Sequence, residues 1–297
     1  MIIPTYLKKG DTVAIIAPAK AIEKEVIDNA VELWKRLGYT VLVGEHCFGR
    51  DNYFSGTIDE RTQDLQWAIN HDKVKAVVCA RGGYGCIHTV ERVDWGQMKK
   101  NPKWMIGFSD VTVFHFLFSI FRIASVHGTM PLNYKENTRE SLTKLNQLLR
   151  GDSQKYEWKS SLSVNGACEG ELIGGNLAVI SDLIGTKLQP DMKGKILFLE
   201  EVGEYHYTID RMFYQLKFAG VLAAINGLVL GSFTNVGDST PPFGESIDQI
   251  LFKHTRDLSI PVAFDFPLGH QADNRPLKCG GQFSFSVNNG RSILVEI

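Results

Sequence analysis

The residues with the most chemical promise begin at Met105-Ile106-Gly107-Phe108-Ser109-Asp110, after which the apolar run VTVFHFLF resumes. A strand that ends, turns sharply and becomes a helix would leave Ser109 at the apex with its hydroxyl exposed as a nucleophile. Gly107 would relieve crowding in that turn. The backbone N–H of Asp110, at the helix N-terminus, would donate to an oxyanion. The common elbow reads G-x-S-x-G, and here its last position is Val111. Serine and aspartate are also favoured helix N-caps. On these residues alone, nucleophile and cap both stand.

Three more segments carry candidates. Ala80-Arg81-Gly82-Gly83-Tyr84-Gly85 follows an apolar run directly. Its glycines let backbone approach a ligand closely, although a plain strand-to-helix turn explains them too, and neither glycine-rich nucleotide signature is present. Glu200 and Glu201 close the apolar run ILFL. Charge at the end of a buried strand needs a partner, which points to a structural ion pair or to a catalytic acid. Only one of two adjacent strand residues can face a given partner. His270 follows Gly269 just past another apolar segment, and alone it reads as an ordinary loop histidine. The order serine, acid, histidine is one of the known triad orders.

Such groups need a framework, and the hydrophobic pattern supplies one. TVAIIAP (12–18), YTVLVG (39–44), VKAVVCA (74–80) and WMIG (104–107) are short apolar runs, as expected of strands buried on both faces. Ile22, Val26, Ala30, Leu33 and Leu37 recur at helical spacing, and Gly38 stops that helix. Thr57 and Glu60 make a capping box that opens a helix through about Asn70. Strand and helix in alternation predict a parallel sheet covered on both faces, with its ligand crevice at the carboxyl ends of the strands. Gly82, Gly83 and Ser109 then share one sheet edge.

The pattern changes beyond residue 130. TRESLTKLNQLLRG (138–151) is an amphipathic helix with Leu142, Leu145 and Leu149 on one face. The polar stretch after it marks a boundary, giving a first domain over 1–150, a linker over 151–168 and a second domain over 169–297. In the second, NLAVISDLIGT and YTIDRMFYQLKFAG read as helices, and GKILFLEE, GLVLGSFT and IPVAFDFP as strands. QFSFSVNNGRSILVEI alternates on both sides of Asn289-Gly290, which predicts a terminal hairpin.

Composition narrows the function classes. A formal net charge of −1 gives no long-range attraction for nucleic acid or an anionic membrane. The longest strongly apolar run is shorter than the ~20 residues of a membrane span. MIIPTYLKKGD has no basic segment leading into an apolar core, so a secretory leader is not expected. Five cysteines without a CxxC pair fit reduced thiols in a cytoplasmic protein, and eight histidines without ligand spacing argue against a metal site. No cofactor is expected.

Taken together, GDTVAIIAPA, ARGGYG, IGFSD, EGELIGGNL, ILFLEEVGEYHYTIDRM and PLGH resemble, in order and over nearly the whole chain, the LD-carboxypeptidase family of serine peptidases. The resemblance implies an α/β fold: a flavodoxin-like parallel-sheet N-terminal domain and a β-rich α/β C-terminal domain, with the active site between them. It implies cleavage between an L-configured centre, of meso-diaminopimelate or L-lysine, and the terminal D-alanine of murein tetrapeptides, which serves cell-wall recycling in cytoplasmic members. Carried over by position, Ser109 is the nucleophile, Glu200 the acid and His270 the base. The N–H groups of Asp110 and Gly83 hold the oxyanion, and Arg81, at the loop edge, is a candidate for the terminal carboxylate. The partner is then a murein peptide, and the oligomeric state stays open, with a homodimer as one outcome. Where family members often read HGPM, this chain has HGTM (127–130). Two alternatives stand beside this reading. A microcin C immunity peptidase of the same family would need an additional aromatic loop, for which 131–165 is short and polar. A non-enzymatic binding module with the same flavodoxin-like half would leave the triad order to accident.

Overall fold

The computed structural model describes residues 1–297, which divide into two compact units. The first comprises Met1–Asp152 with Arg275–Lys278, and the second Ser153–Asn274 with Cys279–Ile297.

In the first unit the order is β1 (Thr12–Ile16), α1 (Lys24–Arg36), β2 (Thr40–Val43), α2 (Ile58–Asn70), β3 (Val74–Cys79), α3 (Cys86–Val90), α4 (Gly96–Lys100), β4 (Trp104–Gly107), α5 (Thr112–Ile120), β5 (Ser125–His127) and α6 (Arg139–Leu149). β1 pairs in parallel with β2 and β3, β3 with β4, and β4 with β5. The strand order 2-1-3-4-5 is the flavodoxin-like one. β1 and β4 are buried along their whole length, so their apolar runs have no polar face to alternate with. Thr57 and Glu60 close the capping box at the start of α2, worth about 1 kcal/mol to a helix end. In α1 the buried side is Ile27, Ala30 and Trp34, one position round from the Val26–Leu33 stripe expected. The bulk of Trp34 decides which side turns inward.

The second unit contains β6 (Lys155–Lys159), β7 (Ser163–Val164), β8 (Gly166–Asn176), α7 (Leu177–Leu183), β9 (Ile196–Val202), α8 (His206–Phe218), α9 (Val221–Ala224), β10 (Gly227–Thr234), α10 (Ile247–Thr255) and β11 (Val262–Ala263). After β12 (Leu277–Cys279), which edges the first sheet next to β5, the chain ends in β13 (Gln282–Asn288) and β14 (Arg291–Glu296). Eight strands form a mixed sheet in the order β6-β14-β13-β8-β9-β10-β11-β7. β8, β9, β10 and β11 run parallel, and β13, β14, β6 and β7 attach antiparallel. The hairpin turns at Asn289 and Gly290, both at positive φ, as a two-residue turn between twisted strands requires.

Residues 151–168, expected as a linker, carry β6, β7 and the start of β8. Their polarity has a physical reason: β6 and β7 are the two edge strands of the sheet, and β6 buries only Tyr156 fully while its charged neighbours face water. The return of Arg275–Lys278 to the first unit departs from the two consecutive domains expected, because a long-range strand pairing leaves no local sign.

Candidate active site

β4 ends at Gly107, and Ser109 follows with φ +62°. A non-glycine residue in the left-handed region costs on the order of 1–3 kcal/mol and persists only where its surroundings enforce it. Here Gly107 is part of the enforcement: a Cβ on it would lie 2.8 Å from a Val111 methyl. An N-cap residue sits in the extended region and accepts a backbone N–H with its side chain. Ser109 has the wrong backbone for that task. A short 3-10 turn, Ser109–Val111, leads into α5, whose cap position is taken by Val111 without a side-chain bond. The Asp110 carboxylate turns away to accept the Cys86 N–H at 2.9 Å. Burial raises the Asp110 carboxyl above its ordinary value, against the pull of that bond and of the His88 and Arg61 charges.

The glycine-rich loop after β3 abuts this turn. A Cβ on Gly82 would stand 3.2 Å from both Ser109 Cβ and the Asp110 nitrogen, so only glycine leaves the space beside them open. Gly83 has φ +110° and lies against Lys20 and Tyr53. Arg81 donates from Nη1 to the Ala21 carbonyl at 2.8 Å, and burial lowers its pKa.

Two buried residues that sequence reasoning passed over brace these loops. His115 on α5 bonds the Gly107 carbonyl through Nε2 at 2.9 Å and Ser125 Oγ through Nδ1 at 2.8 Å. Burial pulls its pKa down to about 4, so it is neutral and donates to Gly107 from Nε2. Its signal was a histidine inside an otherwise apolar helical run, which must be satisfied when buried. Arg61 on α2 is 1% exposed. Its guanidinium donates to the carbonyls of Gly56, Pro18 and Gly85, reaching the loops after β1 and β3 at 2.8 and 3.0 Å. Thr129, the departure in the HGTM stretch, donates to Asn137 Oδ1.

In the second unit, β9 delivers Glu200 and Glu201 to opposite sides. Glu200 is fully buried, and its Oε2 accepts from His270 Nδ1 at 2.7 Å. Burial lowers the pKa of His270, but the bond and charge of Glu200, with the charge of Glu201, outweigh it and raise the value. Gly269 makes the approach possible. With φ +101°, it would carry a Cβ only 2.7 Å from Glu200 Cβ and Oε2. Asn274 Oδ1 accepts the Gly269 N–H at 3.0 Å, and Ser232 donates from N and Oγ to the Leu268 carbonyl. Glu201 accepts instead from Asn176 Nδ2, the Ala178 N–H and its neighbour Val202 N–H, all within 2.8 Å. It thereby ties β9 to the start of α7. Burial, with the Glu200 charge, pushes its carboxyl up to about 7 despite those donors.

A carboxylate on Nδ1 fixes one histidine tautomer and leaves Nε2 as a proton acceptor. A serine held at an elbow beside backbone N–H groups is suited to acyl transfer. No cluster of three or more His, Cys, Asp or Glu is arranged to hold a metal, and no helix is long and apolar enough to cross a membrane.

The comparisons with known proteins agree with one another. Residues 13–128 match the LD-carboxypeptidase N-terminal domain and residues 169–285 the LD-carboxypeptidase C-terminal domain. A murein tetrapeptide carboxypeptidase of Pseudomonas aeruginosa is 32% identical over 89% of each chain. The crystal structure of a muramoyltetrapeptide carboxypeptidase from Oxalobacter formigenes superposes with a TM-score of 0.89 at 28% identity, over 96% of this chain and 99% of its own. The microcin C7 self-immunity protein MccF of Escherichia coli is 24% identical over 98% of this chain and 94% of its own. The chain is a peptidase and belongs to the LD-carboxypeptidase family.

Proposed function

We propose that this protein is a serine LD-carboxypeptidase that releases the terminal D-alanine of murein tetrapeptides in cytoplasmic cell-wall recycling. The observation that carries the reading is the 2.7 Å bond between His270 Nδ1 and the fully buried Glu200. A buried carboxylate on that nitrogen leaves His270 Nε2 to take the Ser109 proton as Oγ attacks the scissile carbonyl. The tetrahedral oxyanion is held by the N–H groups of Asp110 and Gly83. His270 then returns the proton to the D-alanine amine, and water, activated by the same imidazole, hydrolyses the acyl-enzyme. Glu200 stabilises the imidazolium in both halves of the reaction. Arg81 engages the substrate carboxylate from the edge of the glycine-rich loop.

The test is direct. Purified protein is supplied with murein tetrapeptides ending in D-alanine, carrying either meso-diaminopimelate or L-lysine, and free D-alanine is measured. Release by the wild type and none by Ser109→Ala supports the reading. A wild type that leaves both peptides intact while hydrolysing a peptidyl-nucleotide would replace the substrate and keep the triad.

A further inference from the structure

Lys20 stands on the loop after β1, where its backbone is bridged to Phe54. Its half-buried side chain runs along the glycine-rich loop. A Cβ on Gly83 would lie 3.0 Å from Lys20 Cβ, 3.4 Å from its Cδ and 3.0 Å from the Tyr53 hydroxyl. The ammonium sits over the Tyr53 ring, 4.8 Å from its centre. One residue back along that loop, Gly82 abuts Ser109. Arg81 brings a second cation to the same cluster. Its Nη1 donates to the carbonyl of Ala21, whose own N–H donates to the Tyr53 carbonyl at 3.0 Å, while Arg81 Nε is buried without a partner. Lys195 and Lys253 each hold a carboxylate. Lys20 and Arg81 hold a ring and a carbonyl instead. Groups of one charge left unneutralised beside a loop attract a ligand of the other charge.

We propose that Lys20 determines which residue is accepted before the scissile bond, selecting meso-diaminopimelate over L-lysine. The inference rests on the proposed cleavage of murein tetrapeptides, with Arg81 taking the terminal carboxylate and leaving Lys20 for a second one. The two side chains have the same length and differ by a single carboxylate. Diaminopimelate ends in an ammonium and a carboxylate together, and lysine in an ammonium alone. Lys20 binds the carboxylate of the first and repels the bare ammonium of the second, so attraction and exclusion favour the same substrate. A lysine suits the task, being a point charge on a flexible four-carbon stem that can follow the ligand. Gly83, with φ +110° and no side chain, leaves that stem its course along the loop.

The experiment measures kcat/KM for D-alanine release from both tetrapeptides, with circular dichroism as a check that each variant is folded. The wild type should favour the diaminopimelate peptide by ~10-fold or more, the factor that a hydrogen bond to a charged group supplies. Lys20→Met should bring the two values together. Lys20→Glu should invert the preference, because the new carboxylate repels that of diaminopimelate and attracts the lysine ammonium. Lys24→Glu on α1, where Lys24 pairs with Asp28 at the surface, changes net charge equally and should leave the ratio as it was. A wild type without the preference, a preference that survives Lys20→Glu, or a ratio moved as far by Lys24→Glu overturns the role of Lys20 and leaves the peptidase reading standing. Equal losses on both peptides also overturn it, placing Lys20 on a carboxylate that they share. Cleavage of neither peptide by the wild type overturns the reading itself, and this assignment with it.

Discussion

Ser109 and His270 are held in place by different means. The elbow is built from close neighbours: Gly107, Asp110, Val111 and His115 supply the tight turn, the anchor to the glycine-rich loop and the brace on the Gly107 carbonyl. His270 stands on a loop whose shape depends on residues distant in sequence, Glu200 and Ser232 above all. The first is a steric device that stores backbone strain. The second is an electrostatic one, in which a buried carboxylate fixes an imidazole and raises its pKa. Steric devices fail by misplacing an atom, and electrostatic ones by changing a protonation state, so the two should break differently.

The largest effect is expected at the elbow. Ser109→Ala removes the proposed nucleophile and should lower D-alanine release by up to about 10⁶-fold, as in other triads, with circular dichroism unchanged. Activity within tenfold of wild type would take Ser109 out of the mechanism.

Glu200→Gln comes second and should show the electrostatic signature. It keeps the shape but removes the charge that raises the His270 pKa, and a comparable change in an aspartate triad cost ~10⁴ in turnover. The sign of the pH effect follows. The base must be neutral, so activity falls as pH drops through the pKa of His270. In the wild type that acid limb should lie above the ordinary histidine value of ~6.5. In Glu200→Gln burial is opposed only by the charge of Glu201, and the limb should move down. Rate profiles from pH 5 to 9 measure both, and limbs that coincide would disprove the coupling.

Gly269→Ala should be milder. The added methyl cannot sit 2.7 Å from Glu200, so the loop must shift and carry His270 with it. A misplacement of ~1 Å costs on the order of 10²-fold. Because charge is retained, the acid limb should remain above the histidine reference. A fall in rate accompanied by the Glu200→Gln shift would mean that the ion pair, and not only its geometry, had been lost.

The same contrast explains what could be read in the sequence. Buried parallel strands announce themselves as apolar runs, and the Thr57–Glu60 box and the Asn289-Gly290 turn are local chemistry. Ser109 was visible because its turn is local too. The order of the triad pointed to His270, but nothing near it said that Gly269 is compressed against Glu200. The choice between Glu200 and Glu201 was open from strand alternation alone, since parity says that they diverge and not which way. Arg61 was invisible because its partners, Pro18 and Gly85, lie on loops that only the sheet brings together. The edge strands β6 and β7 were hidden for the opposite reason, having too little buried face to leave a pattern.

The smallest effect should come from Glu201→Gln, which asks whether the second carboxylate belongs to the electrostatic device or only to the framework. Glu201 ties β9 to α7 through Asn176 and Ala178, and its charge is one of those that raise the His270 pKa. Glutamine keeps one acceptor oxygen but turns a donor toward one of those partners, a constant loss of about 1–3 kcal/mol. On this is laid a dependence on pH. A carboxyl pushed up to about 7 by burial contributes stability that is fully present below its unfolded value, ~4.3, and lost as pH rises through about 7. Glutamine has nothing to ionise. The stability gap between wild type and variant should therefore be widest near pH 4 and narrow toward pH 8, as read from urea midpoints across that range. Turnover at the plateau should stay within ~5-fold, since 1 kcal/mol is worth about that factor, and the acid limb should move slightly down. A gap independent of pH would mean that Glu201 is ionised throughout, and a loss as large as that of Glu200→Gln would transfer the catalytic role to it.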